Sequence, residues 1–342
     1  MATTIAREVQ RRINRKLTDA QTFIGGADLG NSTSLYKTGS TVVQLPSYVG
    51  IGNLDNLLST RLGGGGTSGL KAGEYVVEYG DVAFFVGELA IDQATDATTQ
   101  RGDLNRYANG HTRILLMALV AAAHPALTSI RLRLVTGLPI KTFRDRPALK
   151  ADVRQALEGV YFYTFHDRNG SRSMCLEVEA VGVVMEGLGA ARAFGVVGKP
   201  MVVVDIGGDS FDVAYIDAHG EVIDARSGSL IHNGSERIGE LLSTGFHRQF
   251  GRDLTASEIE ATLRNYLIGC DTTIYEAGER IIEVATVQRA IDTVTAAGNS
   301  FLSQKLGPRP GSDAAEALVI GGAARYIKPA LACPVTIPAA PE

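Results

Sequence analysis

Val202-Val203-Val204-Asp205-Ile206-Gly207-Gly208-Asp209-Ser210-Phe211-Asp212-Val213 reads as an apolar strand, a carboxylate, a turn of glycines with an acid and a hydroxyl, and a second apolar strand. Half a chain earlier, Thr22-Phe23-Ile24 leads into Ala27-Asp28-Leu29-Gly30-Asn31-Ser32-Thr33-Ser34-Leu35, in the same order. An Asp just before a turn is commonly only a turn former. The same context twice, half a chain apart, points instead to a duplicated domain whose two hairpins face each other across a cleft. Such hairpins offer backbone N–H groups and small hydroxyls to an anion, and the two Asp residues can hold a hydrated cation. Phosphate with Mg²⁺ is the pairing this chemistry suggests.

Working outward, Ala317-Leu318-Val319-Ile320 delivers Gly321-Gly322-Ala323 to a short helix. Two glycines at a strand-to-helix joint let a flat ring or a phosphate sit against the backbone. Glu186 stands in Val183-Val184-Met185-Glu186-Gly187, at another such joint. It reads either as a carboxylate favoured by a helix N-terminus or as the group that orients an attacking water, one of the few services phosphoryl transfer asks of a side chain. Asn233-Gly234-Ser235-Glu236-Arg237 opens a helix, with Ser235 as its expected cap. Lys141, Arg144, Asp145 and Arg146 read as a solvated loop.

The rest of the chain sets limits. At 342 residues two domains are expected. A formal net charge of −4 supplies no general attraction to nucleic acid or an anionic membrane. Three scattered cysteines form no CxxC pair, and six histidines show no metal spacing. The longest apolar run, Ile114 to Ala123, is too short to span a bilayer. The first twenty residues are polar and basic, with Ile5, Val9, Ile13 and Leu17 at helical spacing, and do not read as a signal peptide. A cytoplasmic α/β protein is the expectation. Gly63 to Gly69 reads as a surface loop, since no strand feeds it and no Lys-Ser/Thr pair follows. In the second half, strands are expected at 201–205, 211–217 and 221–226, helices from about 238 to 306, and a strand at 317–320.

This set of motifs resembles the actin, sugar-kinase and heat-shock-chaperone superfamily, and within it most of all the bacterial actin-like proteins of the ParM type, the plasmid-segregation filaments. The likeness rests on Ile24-Gly25-Gly26-Ala27-Asp28-Leu29-Gly30, on Val135-Thr136-Gly137-Leu138-Pro139 with Arg144-Asp145-Arg146, on Asp205 to Asp212 with Glu186 upstream, and on Val319-Ile320-Gly321-Gly322-Ala323-Ala324. It runs from about residue 22 to 327. The resemblance implies two related RNase H-like domains flanking a nucleotide cleft. A basic leader (1–20) precedes domain I (21–195, with a C-terminal return at 328–342), and domain II covers 196–327. It implies that Asp28 and Asp205 bind Mg²⁺ through water, and that Gly30, Asn31, Ser32 and Thr33, with Gly207, Gly208, Asp209 and Ser210, hold the phosphates. Glu186 would position the hydrolytic water, so Glu186, Asp205 and Asp28 form the catalytic set. Gly321, Gly322 and Ala323 would pack on the nucleoside, and Gly234 or Arg237 would touch the base.

The implied activity is ATP hydrolysis (GTP being the other candidate nucleotide) coupled to filament assembly. The partners would be further copies of the chain and a DNA-binding adaptor protein, with no direct grip on DNA and no membrane span. A small-molecule kinase of the same superfamily and a non-hydrolysing scaffold are the alternatives. Three departures from the family pattern stand out. Lys37 follows Asp28 by nine positions where many members have seven, leaving its contact with phosphate open. Asp209 stands where Thr is common, adding negative charge near the γ-phosphate. The basic leader has no counterpart in the resemblance.

Overall fold

The computed structural model describes residues 20–30, 32–60, 69–94, 96–98, 105–195, 198–275 and 279–338. The basic leader up to residue 19, Asn31 and the glycine loop through residue 68 lie outside the described residues. The chain forms two compact units. The first takes the described chain up to Leu138 and Asp145–Val184, and the second takes Pro139–Arg144 and the chain from Met185 onward.

The first unit is built on a nine-stranded sheet. Its elements are β1 (Gln21–Leu29), β2 (Thr33–Thr38), β3 (Thr41–Pro46), β4 (Val49–Ile51), α1 (Leu54–Thr60), β5 (Tyr75–Tyr79), β6 (Val82–Val86), α2 (Glu88–Gln93), α3 (Gly110–Ala123) and β7 (Ser129–Leu138). After β7 comes α4 (Ile140–Asp145), most of which belongs to the second unit, and the chain returns as α5 (Leu149–Leu157), β8 (Gly159–Asp167) and β9 (Gly170–Met185). The strand order is β3-β2-β1-β7-β9-β8-β5-β6-β4. Helix α3 is the apolar run seen in the sequence, buried on almost every side and packed on β1 to β6. It starts at Gly110 because the Asn109 side chain accepts from the Thr112 N–H (3.1 Å), and it stops at His124, where Pro125 cannot continue it.

The second unit holds α6 (Leu188–Phe194), β10 (Met201–Ile206), β11 (Ser210–Ile216), β12 (Gly228–Ile231), α7 (Ser235–Phe250), α8 (Ala256–Leu267), the hairpin β13 (Thr272–Tyr275) and β14 (Glu279–Ile282), α9 (Val284–Leu306), β15 (Glu316–Ile320) and β16 (Val335–Thr336). Its five-stranded sheet runs β12-β11-β10-β15-β16. That order matches β3-β2-β1-β7-β9 of the first unit: an antiparallel meander, then a crossover to a parallel neighbour beside the first strand. The duplication suggested by two short motifs is therefore present in the topology.

Alternation along β10 and β11 divides the core. Val202, Val204, Ile206, Phe211 and Val213 face α7, α8 and α9, while Met201, Val203, Ala214 and Ile216 face α6 and Ile140.

Several sequence expectations are corrected. The strand expected at 221–226 is instead β12 at Gly228–Ile231, and Val222 makes only an isolated bridge to Ile216. Polar clasps hold the intervening chain in a 3-10 turn. The Ser227 hydroxyl accepts from the Tyr215 N–H (3.0 Å) and donates to the Ile223 carbonyl (2.8 Å), and Arg226 lies over the Tyr215 ring while pairing with Asp313 (2.6 Å). The helical stretch 238–306 is interrupted by β13 and β14, with Thr255 and Glu258 forming a capping box that starts α8.

Residues 328–338 do not return to the first unit. Within them β16 pairs parallel to β15, and Ile327, Leu331 and Cys333 pack into the second unit's core. Helix α6 also belongs there, because Leu188 and Ala191 pack against Met201 and Val203.

Phe211 is fully buried, and Gly298 of α9 makes room for its ring, since a Cβ at 298 would stand 2.8 Å from Phe211 Cε2. Phe211→Ala is expected to cost about 3–5 kcal/mol. Urea unfolding should show the loss as a lower midpoint with an unchanged slope.

Candidate functional site

The second hairpin forms because β10 and β11 are apolar on both faces and joined by residues that tolerate a tight turn. Asp205 pairs with Asp212 and Ile206 with Phe211, and the Gly207 N–H donates to the Ser210 carbonyl (3.0 Å) to close the turn. The turn then packs onto the start of α7. Ser235 N–H donates to the Gly207 carbonyl (3.1 Å) and Glu236 N–H to the Gly208 carbonyl (2.9 Å). These bonds satisfy two of the helix's orphan donors with hairpin backbone. Gly234 itself is the cap residue, so the capping role expected of Ser235 falls instead to the hairpin carbonyls. A Cβ on Gly234 would stand 2.3 Å from both of those oxygens, so no other residue fits.

Gly321 approaches from the opposite side. Its φ is +90°, a conformation that favours glycine, and a Cβ there would lie 2.5 Å from Asp205 Oδ1 and 2.4 Å from the Ile206 carbonyl oxygen. Gly207, Gly208 and Gly234 thus meet through backbone contact, and Gly321 closes on the Ile206 carbonyl and the Asp205 carboxylate. Gly322 and Ala323 open the 3-10 turn that follows, with Ala323 fully buried. Glu186 directly precedes Gly187, whose missing side chain faces Val203 and Ala214. Val203 and Asp205 share a face of β10, so Glu186 enters on the face that carries Asp205.

A polar row crosses this face. Asp205 of β10, Asp212 of β11 and Ser229 of β12 are register partners in turn. Asp212 is only 3% exposed and accepts from Ser210 (2.5 Å) and from Ser229. The Ile140 N–H also bonds its carboxylate, and the Lys141 N–H donates to Ser229 Oγ (3.2 Å). Burial raises the Asp212 carboxyl above its ordinary range. The two hydroxyls and the amide oppose the shift, and Asp209 adds to it. Ser210 therefore turns its hydroxyl inward to Asp212, and Asp209 is the turn's outer acid.

Asp209 Oδ1 lies 2.8 Å from His232 Nδ1, and the Asp209 carbonyl accepts from Asn233 N–H (3.0 Å). His232 has φ +59°, the one non-glycine at positive φ among the described residues.

In the first unit, Asp28 is exposed near the end of β1 and pairs across from Leu35. Gly30 turns the chain tightly, since a Cβ would lie 2.8 Å from the Thr33 carbonyl oxygen. Ser32 and Thr33 follow in the turn, and Asn31 lies outside the described residues. Lys37 pairs across from Gly26, back along the hairpin from the turn. The expectation of a solvated loop at 141–146 is corrected as well. Ile140 is buried, Arg144 pairs with Asp224 (2.9 Å), and Arg146 donates to Asn105 Oδ1 (2.8 Å).

Sequence reasoning missed Asp212, Ser229 and His232. The parity of β11 was the available signal for Asp212, because it places that residue on the same face as its partner Asp205. Among the described residues, no group of three or more His, Cys, Asp or Glu forms a direct metal cage. No helix among them is long and apolar enough to cross a membrane.

Comparison with known proteins fits this geometry. The family model described as the actin-like proteins N-terminal domain matches residues 26–189. No curated protein matches the sequence. Among solved structures, the chain is similar to a ParM from Clostridium botulinum in a 15-stranded filament (TM-score 0.67, 17% identity, 94% of this chain and 96% of that one). It is similar to the archaeal actin homologue Ta0583 in complex with ADP (TM-score 0.66, 16% identity, 88% and 87%). It is also similar to Bacillus thuringiensis ParM with ATP (TM-score 0.62, 13% identity, 93% of each chain). At these identities the likeness shows the fold.

The Asp212 shift has a measurable consequence. A raised carboxyl keeps its proton in the folded state where the unfolded chain has already lost it, so this group makes stability fall as pH rises above about 4. Asp212→Asn is expected to remove that fall and to be at least as stable as the parent at pH 7. Thermal melts of both proteins from pH 4 to 8 check it.

Proposed function

We propose that this chain, which has the actin fold and an actin-like N-terminal domain over residues 26–189, is a nucleotide-dependent filament-forming ATPase. The observation that carries the reading is the second hairpin, where the Gly207-Gly208 turn meets Gly234 by backbone contact and Gly321 closes on the Ile206 carbonyl and the Asp205 carboxylate.

The donor set suits a nucleotide phosphate with Mg²⁺. Asp205 supplies a half-buried carboxylate to hold a cation through its water shell, and the turn brings backbone close to an anion. Gly321 and Gly322 leave one wall of the site without side chains, which suits a flat nucleoside. Mg²⁺ when bound neutralises charge on the phosphates. Glu186, on the Asp205 face, would orient the attacking water and accept its proton. Asp28 with Gly30, Ser32 and Thr33 would serve the same nucleotide from the first unit, as the paired motifs suggest.

A relative seen as a filament supports self-assembly as the output. Nucleotide state would set which conformation assembles, the two-state element that such a switch needs. The cargo reading, plasmid or other DNA through a DNA-binding adaptor, follows from the ParM-type motifs and from a net-acidic chain that does not itself attract DNA.

Light scattering and negative-stain microscopy with ATP, GTP and ADP test the assembly. Polymer is expected with a nucleoside triphosphate and Mg²⁺, and absence of polymer with either triphosphate across salt and protein concentration would count against it. Asp205→Ala is expected to lose Mg²⁺-dependent nucleotide binding. Glu186→Ala is expected to bind nucleotide yet release phosphate about 10²-fold more slowly or worse, with polymer that persists. Phosphate release at the parental rate would remove Glu186 from the mechanism.

A further inference from the structure

The two units share a sheet topology, but among the described residues only the second has its sheet covered on both faces. There α7, α8 and α9 lie on one face. On the other, which carries Asp205, lies α6, the helix immediately before β10. With Ile140 and Phe143 it covers Met201, Val203 and Leu318, leaving Met201 4% exposed and Leu318 fully buried.

Matching Asp28 to Asp205 makes Ile24 the counterpart of Met201 and Gly26 that of Val203. Val135, the parallel partner of Gly26, then matches Leu318, the parallel partner of Val203. These counterparts are open: Ile24 is 71% exposed and Val135 42%. Helices α3 and α5 of the first unit lie on the opposite face, where Tyr163 donates to the Met117 carbonyl (3.0 Å) and Tyr161 to the Leu157 carbonyl (2.9 Å).

Register carries the open face across the sheet. Ile24 pairs with Arg133, and Arg131 and Arg133 form ion pairs with Glu177 (2.6 Å) and Glu179 (2.9 Å). Glu177 is the register partner of Val160, and Phe162 follows on the same side of β8. On the other flank Gly26 pairs with Lys37, and Lys37 with Val42. Ile24, Val42, Val135, Val160 and Phe162 are all exposed. Apolar side chains recurring on one face from β3 to β8 mark an interaction surface.

The chain carries a cover of the matching kind. Residues 3–17, outside the described residues, lead into β1 as α6 leads into β10. Ile5, Val9, Ile13 and Leu17 recur at every fourth position, and at helical period Arg7, Arg11 and Arg15 fall opposite them. Thr18-Asp19-Ala20 is a connection of the length usual between a helix and the strand that follows it. We infer that residues 3–17 form an amphipathic helix that docks on the open face of the first unit's own sheet, its apolar stripe over Ile24, Val135, Val160 and Phe162. Such a helix is about 22 Å long and strands lie about 4.8 Å apart, so it reaches from β1 across β7 and β9 to β8.

Charge favours this occupant. Residues 1–19 hold five Arg and Lys against two Asp and Glu, in a chain of formal net charge −4, so a basic segment meets an acidic body. Arg131 and Arg133 are already paired, so the face does not repel a basic segment as lone guanidinium groups would.

The test is the rate at which a maleimide labels Ile24→Cys and Val135→Cys in the full chain, read site by site by peptide mass mapping. Exposed Cys270 serves as the internal reference. Labelling is done without nucleotide, so the outcome does not depend on filament assembly. Both new thiols are expected to react at least about tenfold more slowly than Cys270, since they react only when the helix lifts off. Adding Val9→Asp and Ile13→Asp to each should bring them close to the Cys270 rate. Fast labelling in the full chain would overturn the inference, and so would slow labelling that the two leader charges leave unchanged. Protection that disappears on dilution would place the segment on another copy and overturn it too. Should the charged variants not fold, hydrogen exchange of the unaltered chain decides. Amides of residues 5–17 should exchange at least about tenfold more slowly than in a free peptide of residues 1–19, and equal rates would sink the docking.

Discussion

The second hairpin depends on close backbone approach without side chains. Gly207 and Gly208 offer their carbonyls to the first N–H groups of α7, and this is possible only because residue 234 has no Cβ. Gly321 makes the matching approach to Asp205 and Ile206 from the end of β15. Two demands are met by one arrangement: the helix start satisfies its orphan donors, and the turn acquires a fixed shape. Because those bonds are backbone to backbone, the shape does not depend on any rotamer. A turn held this way is fixed before any ligand arrives, which a loop tied down by side chains would be only at an entropic cost.

Around that frame the sheet carries an unusual polar row. Asp205, Asp212 and Ser229 are consecutive register partners, and the buried Asp212 takes its hydrogen bonds from two serines and from the Ile140 amide. Residues 139–144 follow directly on β7 of the first unit yet pack in the second. Ile140 and Phe143 supply apolar contact, Lys141 bonds Ser229, and Arg144 pairs with Asp224. The hairpin and the crossing segment are therefore parts of one hydrogen-bonded unit, and a change at Asp212 would reach both.

How much of this the sequence shows follows from what local patterns encode. Apolar strands ending in Asp and glycine are local signals, so both hairpins, the Gly321-Gly322 joint and the duplicated α/β architecture were readable. The position of β12 was not, because the chain from Ile223 to Ser227 is fixed by partners distant in sequence, Tyr215 and Asp313. Arg144 and Arg146 looked solvated because a charged run usually is, and their partners Asp224 and Asn105 lie far along the chain. Strand parity put Asp212 on the face of Asp205, yet burial and serine partners are properties of the sheet, invisible to parity alone. The His232–Asp209 contact belongs to the same class, joining residues that are neighbours only once β12 pairs with β11.

The two copies of the hairpin have diverged in a way that their register makes explicit. In the first, Asp28 pairs with Leu35, and Leu35 pairs with Gln44. In the second, Asp205 pairs with Asp212, and Asp212 with Ser229. An apolar residue thus stands behind the first carboxylate and a buried acid behind the second. A buried carboxyl responds to charge placed near it far more strongly than a leucine can, since little water screens the interaction. Asp209 already acts on Asp212 in this way, raising its proton affinity. An anion seated at the second turn would add to that effect, whereas the first hairpin has no equivalent group to register it. The asymmetry means that a charge placed at the two turns would act on a buried carboxyl behind the second and on a leucine behind the first.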